Sequence, residues 1–431
     1  MSWFLQCAED GCGAKQDAKR VDHQCTRCGG LLEVQYEFGR LDPALTRQRW
    51  LERRATNNPI NRSGVWRFRE LVEFLDAGSE IVSLSEGRTP LLEAPRAGSW
   101  AGGIKLSVKH QGNNPTGSFK DLGMTAAISQ AVALGVRVAA CASTGNTSSS
   151  MAAYAARAGL KALVFVPAGR ITSAKLAQAL DFGAFVIELE GTFDDAFRLV
   201  RQVAPDFDLY LVNSVNPFRI EGQKTLVPEL LEQRDWNLPD CIVVPGGNLG
   251  NASAIGKGLL ELRELGFIQK VPRVVVVQAA GANAFYSLIA EESRELVPVE
   301  IPETEATAIR IGNPANWRKA RRVLCETQGW CEQVTDEEIF AAKRALAEDG
   351  IAAEPASVAT VAGIRKLRAA GRIEAGADVV AVLTGHQLKD PDYVIRHSGD
   401  LGAGRRIRVE TSLDALRSSV ERIVTESLKP S

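Results

Sequence analysis

The chain has 431 residues, 45% of them apolar and 24% charged, and its 51 basic and 52 acidic residues give a formal charge of −1. That size supports two or three buried cores, and the balanced charge, free of long single-sign runs, argues against nucleic acid or a membrane surface as partner. No apolar run is long enough to span a membrane and the N-terminus MSWFLQCAEDG lacks a basic-then-apolar leader, so the expected location is the cytoplasm.

Four of the eight cysteines lie near the start: Cys7 and Cys12, then Cys25 and Cys28 in CTRCGG. Two short cysteine pairs with nearby glycines are how two knuckles present four thiolates to one zinc ion. The expectation is a structural zinc ribbon, with unmetallated thiols as the alternative. His23 lies between the pairs and is read as a bystander. Such a site has no open coordination position and is not expected to do chemistry. LLEVQYEF (31–38) alternates like a ribbon strand. The stretch from Trp50 to Arg69 reads as linker with short helices, ELVEFLDA as another short helix, and Glu86–Leu91 as a turn.

From there the chain repeats strand then helix. The strand candidates are 105–111, 138–144, 162–168, 184–191, 210–216, 241–247, 272–281 and 378–386. Most are near-continuous apolar runs, as in parallel strands buried on both faces. Ala- and Leu-rich intervals such as MTAAISQAVALG and SAKLAQALDFG end in glycine like capped helices. This is an α/β chain, and SLDALRSSVERIVTESL reads as a closing helix.

In such folds the chemistry sits beyond the carboxyl ends of the strands. There the sequence places NNPTGSFKDLGM with Lys120, STGNTSSS (143–150), NSVNPFR (213–219), PGGNLGN (245–251) and TGH (384–386). Asn113-Asn114-Pro115 forces a turn, Thr116, Gly117 and Ser118 offer caps, and a helix begins near Lys120. A lysine at a helix start is disfavoured as an ammonium and suited to a neutral amine or imine, its bland alternative being a solvated surface lysine. GGNLGN between strand and helix can cradle a phosphate on backbone amides, although alone it can be a simple turn. It is neither a dinucleotide fingerprint nor a P-loop. Cradle and lysine together fit pyridoxal 5′-phosphate.

The motifs NPTGSFKDLGM, STGNTSSS, NSVNPFRIEGQKT, PGGNLGN, IRIGNPANW and TGHQLKDP resemble, in order, those of the threonine synthase family of fold type II pyridoxal-phosphate enzymes, from about Glu86 to Asp392. The N-terminal ribbon is similar to an extension found in part of that family. The resemblance implies a two-domain α/β enzyme with parallel-type sheets and flanking helices, plus the small ribbon. It implies that Lys120 anchors the cofactor and exchanges protons with the substrate, and that Asn146 bonds the ring hydroxyl. Gly247, Asn248, Leu249, Gly250 and Asn251 would hold the cofactor phosphate, and Thr384 would face the pyridine nitrogen. O-phospho-L-homoserine would lie with its carboxylate on Ser143 and Thr147 and its phosphate on Ser214, Arg219 and Asn248. The products would be L-threonine and phosphate, and the usual assembly a homodimer. Gln387 departs from the family's glycine in that loop.

The residues leave alternatives open. Thr384 can be a strand-end cap and Arg219 a surface ion-pair residue. His110 and His386 can be read as general bases, with packing or capping as the simpler role for His386. Cysteate synthase, a threonine or serine dehydratase, and a non-catalytic binding protein are the competing functions. The expected divisions are a ribbon (1–38), a linker with helices (39–84), a large cofactor domain (85–138 and 213–400), a small domain (139–212) and a tail (401–431).

Overall fold

The computed structural model describes residues 2–17, 23–143, 145–168, 173–191, 193–397 and 407–427. They form two compact units, Met1–Asp390 and Pro391–Ser431. The second holds the helices Pro391–Arg396 and Leu413–Ser427, the latter as expected for the closing segment. Residues 401–406 and 428–431 of the expected tail lie outside the described residues, as does Thr144 at the end of the 138–144 strand candidate.

The first unit carries three sheets. Strands β1 (Ser2–Cys7), β2 (Lys15–Gln16) and β3 (Leu32–Glu37) form an antiparallel ribbon in the order β2-β1-β3. The main sheet holds β4 (Leu91–Glu93), β5 (Lys105–His110), β10 (Cys241–Pro245), β11 (Arg273–Ala279), β12 (Trp330–Val334) and β13 (Asp378–Leu383). Its order is β12-β11-β10-β13-β5-β4, parallel except for β4 at the edge. Between β5 and β10 the chain leaves to build a second, parallel sheet. That sheet comprises β6 (Val138–Ala142), β7 (Lys161–Pro167), β8 (Phe185–Leu189) and β9 (Tyr210–Leu211), in the order β8-β7-β6-β9.

The continuous apolar strands are explained by two cores. Ile242, Val244, Val274, Val276, Val380 and Val382 join the core on one side of the main sheet. Their neighbours Val243, Val275, Val277, Val379 and Ala381 join the core on the other. Alternate side chains of a strand point to opposite faces, so a strand with both faces covered needs apolar residues at every position.

Three details differ from the sequence reading. The 210–216 strand stops at Leu211 because the Asn213 side chain takes over the pairing: its Nδ2 donates to Ala142 O at 2.8 Å and its Oδ1 accepts from Ala142 N at 3.1 Å. ELVEFLDA forms no α-helix; a 3₁₀ segment ends at Leu71, and Val72 and Phe74 are both buried, a spacing of two that one helical face cannot supply. The linker region also begins with a regular helix, Pro43–Arg54, capped by Asp42.

Candidate active site

Three adjacent parallel strands, β5, β13 and β10, end side by side, and the three glycine-bearing loops that follow them form the site. The loops after β5 and β13 are laced together: Phe119 N donates to Thr384 O at 2.8 Å and His386 N to Gly117 O at 2.9 Å. A third segment joins them through Glu354 N, which donates to Gly385 O at 3.1 Å. Gly117 sits at φ 86°, a conformation that strains any residue with a Cβ, and this lets the chain double back before Lys120. The helix Lys120–Ala133 then starts with Phe119 as its N-cap and with no side-chain cap. The caps expected from Thr116 and Ser118 are therefore not made. Thr116 instead donates from both N (2.7 Å) and Oγ1 (2.6 Å) to the buried Asp121, and Ser118 Oγ is buried without a partner among the described residues.

Lys120 is enclosed by protein yet keeps part of its surface open, with its ammonium 4.2 Å above the Phe119 ring. Burial, reinforced by the charge of Arg219 and opposed by Glu354, lowers its pKa to about 7. Arg219 is brought close by a helix crossing. A Cβ on Gly222 would lie 1.8 Å from Leu122 O, and one on Gly123 2.9 Å from Arg219 O, so the helix Pro217–Lys224 meets the lysine's helix backbone to backbone. Arg219 is 3% exposed; its Nη1 donates to Val212 O at 2.9 Å, and its Nε has no partner among the described residues. Burial lowers it to about 10, so it stays charged at neutral pH. A surface ion-pair role does not fit this burial.

Glu354 was not anticipated from the sequence. Its buried carboxylate accepts from Asn146 Nδ2 at 3.1 and 3.3 Å and lies 3.5 Å from Thr384 Oγ1. Burial raises its pKa, while the bond from Asn146 and the charges of Lys389 and Lys120 oppose the rise. Its one signal was an acid set just before Pro355, at the start of an otherwise apolar helix, Pro355–Ala369. Thr384 is 3% exposed, and its hydroxyl meets Ser357 Oγ at 3.0 Å. Lys389 ties the walls together, donating to Thr116 O (3.2 Å), Ser149 Oγ (3.2 Å) and Gln178 Oε1 (2.6 Å). His386 accepts from Leu388 N at 3.2 Å through Nδ1, a capping role, and His110 Nε2 lies 2.9 Å from Ala352 O. Gln387 opens the short 3₁₀ turn that carries Lys389.

The PGGNLGN segment turns from β10 into the helix Gly250–Glu264. Leu249 takes φ 63° as its N-cap, and no side chain caps the first turn. Four amides at a helix start normally seek partners, and here no side chain supplies one. A Cβ on Gly247 would come within 3.2 Å of Ala308 O. Both polar atoms of the Asn251 side chain are buried without a partner among the described residues. Asn316, from the IRIGNPANW stretch, links two expected substrate residues: its Nδ2 donates to Ser214 O (2.9 Å) and Asn248 O (3.3 Å). Ser143 and Thr147 flank the start of the helix Asn146–Arg157, with Ser143 Oγ accepting from Gly145 N at 3.4 Å.

In the ribbon, Cys7, Cys12, Cys25 and Cys28 bring four sulfurs within 4.8 Å of one another. Such a set suits a tetrahedral soft-metal site.

The model of the family described as "Pyridoxal-phosphate dependent enzyme" matches residues 82–385, and the chain belongs to that family. Within it the chain is most readily set beside threonine synthases. That of Methanocaldococcus jannaschii is 43% identical over 94% of this chain and 97% of its own length. That of Methanosarcina acetivorans is 43% identical over 97% and 98%. Among solved structures, Escherichia coli threonine synthase superposes with a TM-score of 0.70 at 16% identity, covering 96% of this chain and 94% of that one. A threonine deaminase from Solanum lycopersicum gives 0.63 at 17%, covering 84% and 90%, and at these identities both speak to the fold alone. The residues present fit the family's cofactor. A lysine with a lowered pKa, an uncapped helix start behind Gly247, and the unpartnered side chains of Ser118 and Asn251 are what an anionic, imine-forming group requires.

Proposed function

We propose that the chain acts as a threonine synthase, converting O-phospho-L-homoserine and water to L-threonine and phosphate. The observation that carries this reading is a second cationic position beside the first. Arg219, buried and charged, sits on the helix crossing that of Lys120 and close enough for its charge to act on the lysine, which sets an amine suited to the cofactor near a guanidinium suited to a phosphorylated substrate. Relatedness to threonine synthases over nearly the whole chain supports it.

When bound, pyridoxal phosphate supplies an electron sink conjugated to the substrate's α carbon. The chain's residues do the rest. The amides from Gly247 to Asn251 would hold the cofactor phosphate, and Asn146 and Thr384 would serve its ring hydroxyl and its pyridine nitrogen. A hydroxyl there leaves that nitrogen largely neutral, which favours elimination over transamination. Ser143 and Thr147 bind the substrate carboxylate. Arg219, Ser214 and Asn248 bind its phosphate and hold it as the Cγ–O bond breaks. Lys120, neutral for much of the time near pH 7, takes the α proton and then a β proton as phosphate departs, and returns them to Cγ and Cα, while water adds at Cβ and gives its proton to the released phosphate. Glu354 offsets the positive charge of Lys120 and steadies the Asn146 amide.

In the same reading, Cys7, Cys12, Cys25 and Cys28 hold a structural zinc, residues 139–212 form the smaller body over the cleft, and the enzyme is a cytoplasmic homodimer. Among the described residues no helix is long and apolar enough to cross a membrane. The test compares phosphate release from phosphohomoserine and phosphoserine by the purified protein. Threonine formed from phosphohomoserine is the expected product. Release from phosphoserine alone, with sulfite as co-substrate, would move the assignment to cysteate synthase.

A further inference from the structure

His23 lies between the two cysteine pairs yet belongs to the substrate side of the molecule. It is 3% exposed, and its ring packs edge-on against Tyr210 at 5.0 Å and Phe218 at 6.1 Å. Its Nε2 is 2.8 Å from Asn216 Nδ2. The amide's orientation is fixed by two other bonds: Asn216 Oδ1 accepts from Phe218 N at 3.0 Å, and Nδ2 donates to Leu211 O at 3.0 Å. Nδ2 therefore presents its second hydrogen to His23, whose Nε2 acts as acceptor. Asn216 is the N-cap of the helix Pro217–Lys224, and Arg219 stands in that helix's first turn. The ribbon is fixed to the same body by a second seam. Lys257, from the cradle helix, donates to Val34 O, and Lys319 Nζ donates to Leu32 O at 2.8 Å.

We infer that His23 is a positioning residue for the substrate-phosphate site: from the ribbon it locks the Asn216 cap, and the cap sets the first turn that aims Arg219. The ribbon is thus a working part of the phosphate site. This rests on the reading of Arg219 as a phosphate ligand, and a control separates the two. The chain of contacts is short and buried throughout. Losing one cap bond, or leaving one buried amide hydrogen unpaired, is enough to shift a cap rather than unfold a domain.

The test uses the full-length, cofactor-loaded protein with His23→Phe, His23→Gln and Arg219→Gln. Phenylalanine keeps a ring between Tyr210 and Phe218 but removes the acceptor. Glutamine gives up the ring but returns an acceptor oxygen at similar reach. For His23→Phe the expected result is a KM for phosphohomoserine raised about tenfold, with kcat within about threefold. Calorimetry with inorganic phosphate should show its Kd raised by the same factor. His23→Gln should bring both within about threefold of the parent, and Arg219→Gln should weaken both by more than His23→Phe. If Arg219→Gln weakens phosphate binding but His23→Phe does not, the role of His23 is overturned and the site reading survives. If His23→Gln is as impaired as His23→Phe, with kcat falling in step with phosphate affinity, the histidine only packs and the inference is again overturned. If Arg219→Gln leaves phosphate binding unchanged, the site reading itself fails and the inference with it.

Discussion

Lys120 shows how far a single residue could be read. Its place just after a turn pointed to a neutral amine, and the structure supplies the causes: burial, Arg219 beside it, and Glu354 as partial counterweight. The last two come from distant segments, which no local window joins. Lys120→Ala is expected to abolish turnover and the visible absorbance of the bound cofactor, checked by spectrum and by phosphate release. The lowered pKa also carries a sign. Between about pH 7 and the ordinary lysine value of 10.5, the unfolded chain binds a proton that the folded chain does not, so this residue's contribution to stability rises with pH across that window. Below pH 7 the destabilisation is complete. Lys120→Met should therefore stabilise the cofactor-free protein near pH 7, by on the order of 2–5 kcal/mol in denaturant unfolding. A less stable variant would show that the charge is better accommodated than its burial suggests. Glu354→Gln removes the counterweight, so the lysine's pKa should fall further. The pH midpoint for reattachment of the cofactor to the cofactor-free protein should move to lower pH.

At the scale of elements, the sequence marked eight strands by their apolar runs, and all eight positions hold strands. For β5, β10, β11 and β13 the runs could do this because both faces of the main sheet are covered. Within the main sheet the strands that escaped notice, β4 and β12, are its two edges, a three-residue strand and a mixed WCEQV segment, both less buried than the inner strands. The early end of β9 was hidden because a side chain, Asn213, imitates backbone pairing. The helix crossing at Gly123 and Gly222 could not be read from one chain of letters, since each glycine has meaning only through its partner. Gly222→Ala would place a methyl against Leu122 O, forcing the two helices apart. The expected cost is about 2–4 kcal/mol of stability. A raised KM for phosphohomoserine should accompany it as Arg219 is displaced, with thermal melts and steady-state kinetics as the checks. An unchanged melting temperature would mean that the crossing relaxes at little cost.

For the whole molecule, the ribbon was legible as a motif and illegible as a neighbour. Four cysteines at knuckle spacing announced a zinc site, but nothing in the spacing said that β3 carbonyls receive Lys257 and Lys319 from the main body. Elemental analysis should find about one zinc per chain, and a chelator should lower the melting temperature of the intact protein, since metal affinity is partly folding energy. A zinc-free protein of unchanged stability would count against the site. The order of the main sheet has a further consequence, for synthesis. Lys105 at the start of β5 pairs with Asp378, about 270 residues later, while residues 138–211 form a sheet of their own in between. On the ribosome the small sheet can close early, but the lysine's strand keeps an open edge until β13 emerges. A nascent chain halted before Asp378 should therefore capture no cofactor, so the enzyme gains its chemistry only once β13 has been made, and the exposed β5 edge is where a stalled copy would aggregate.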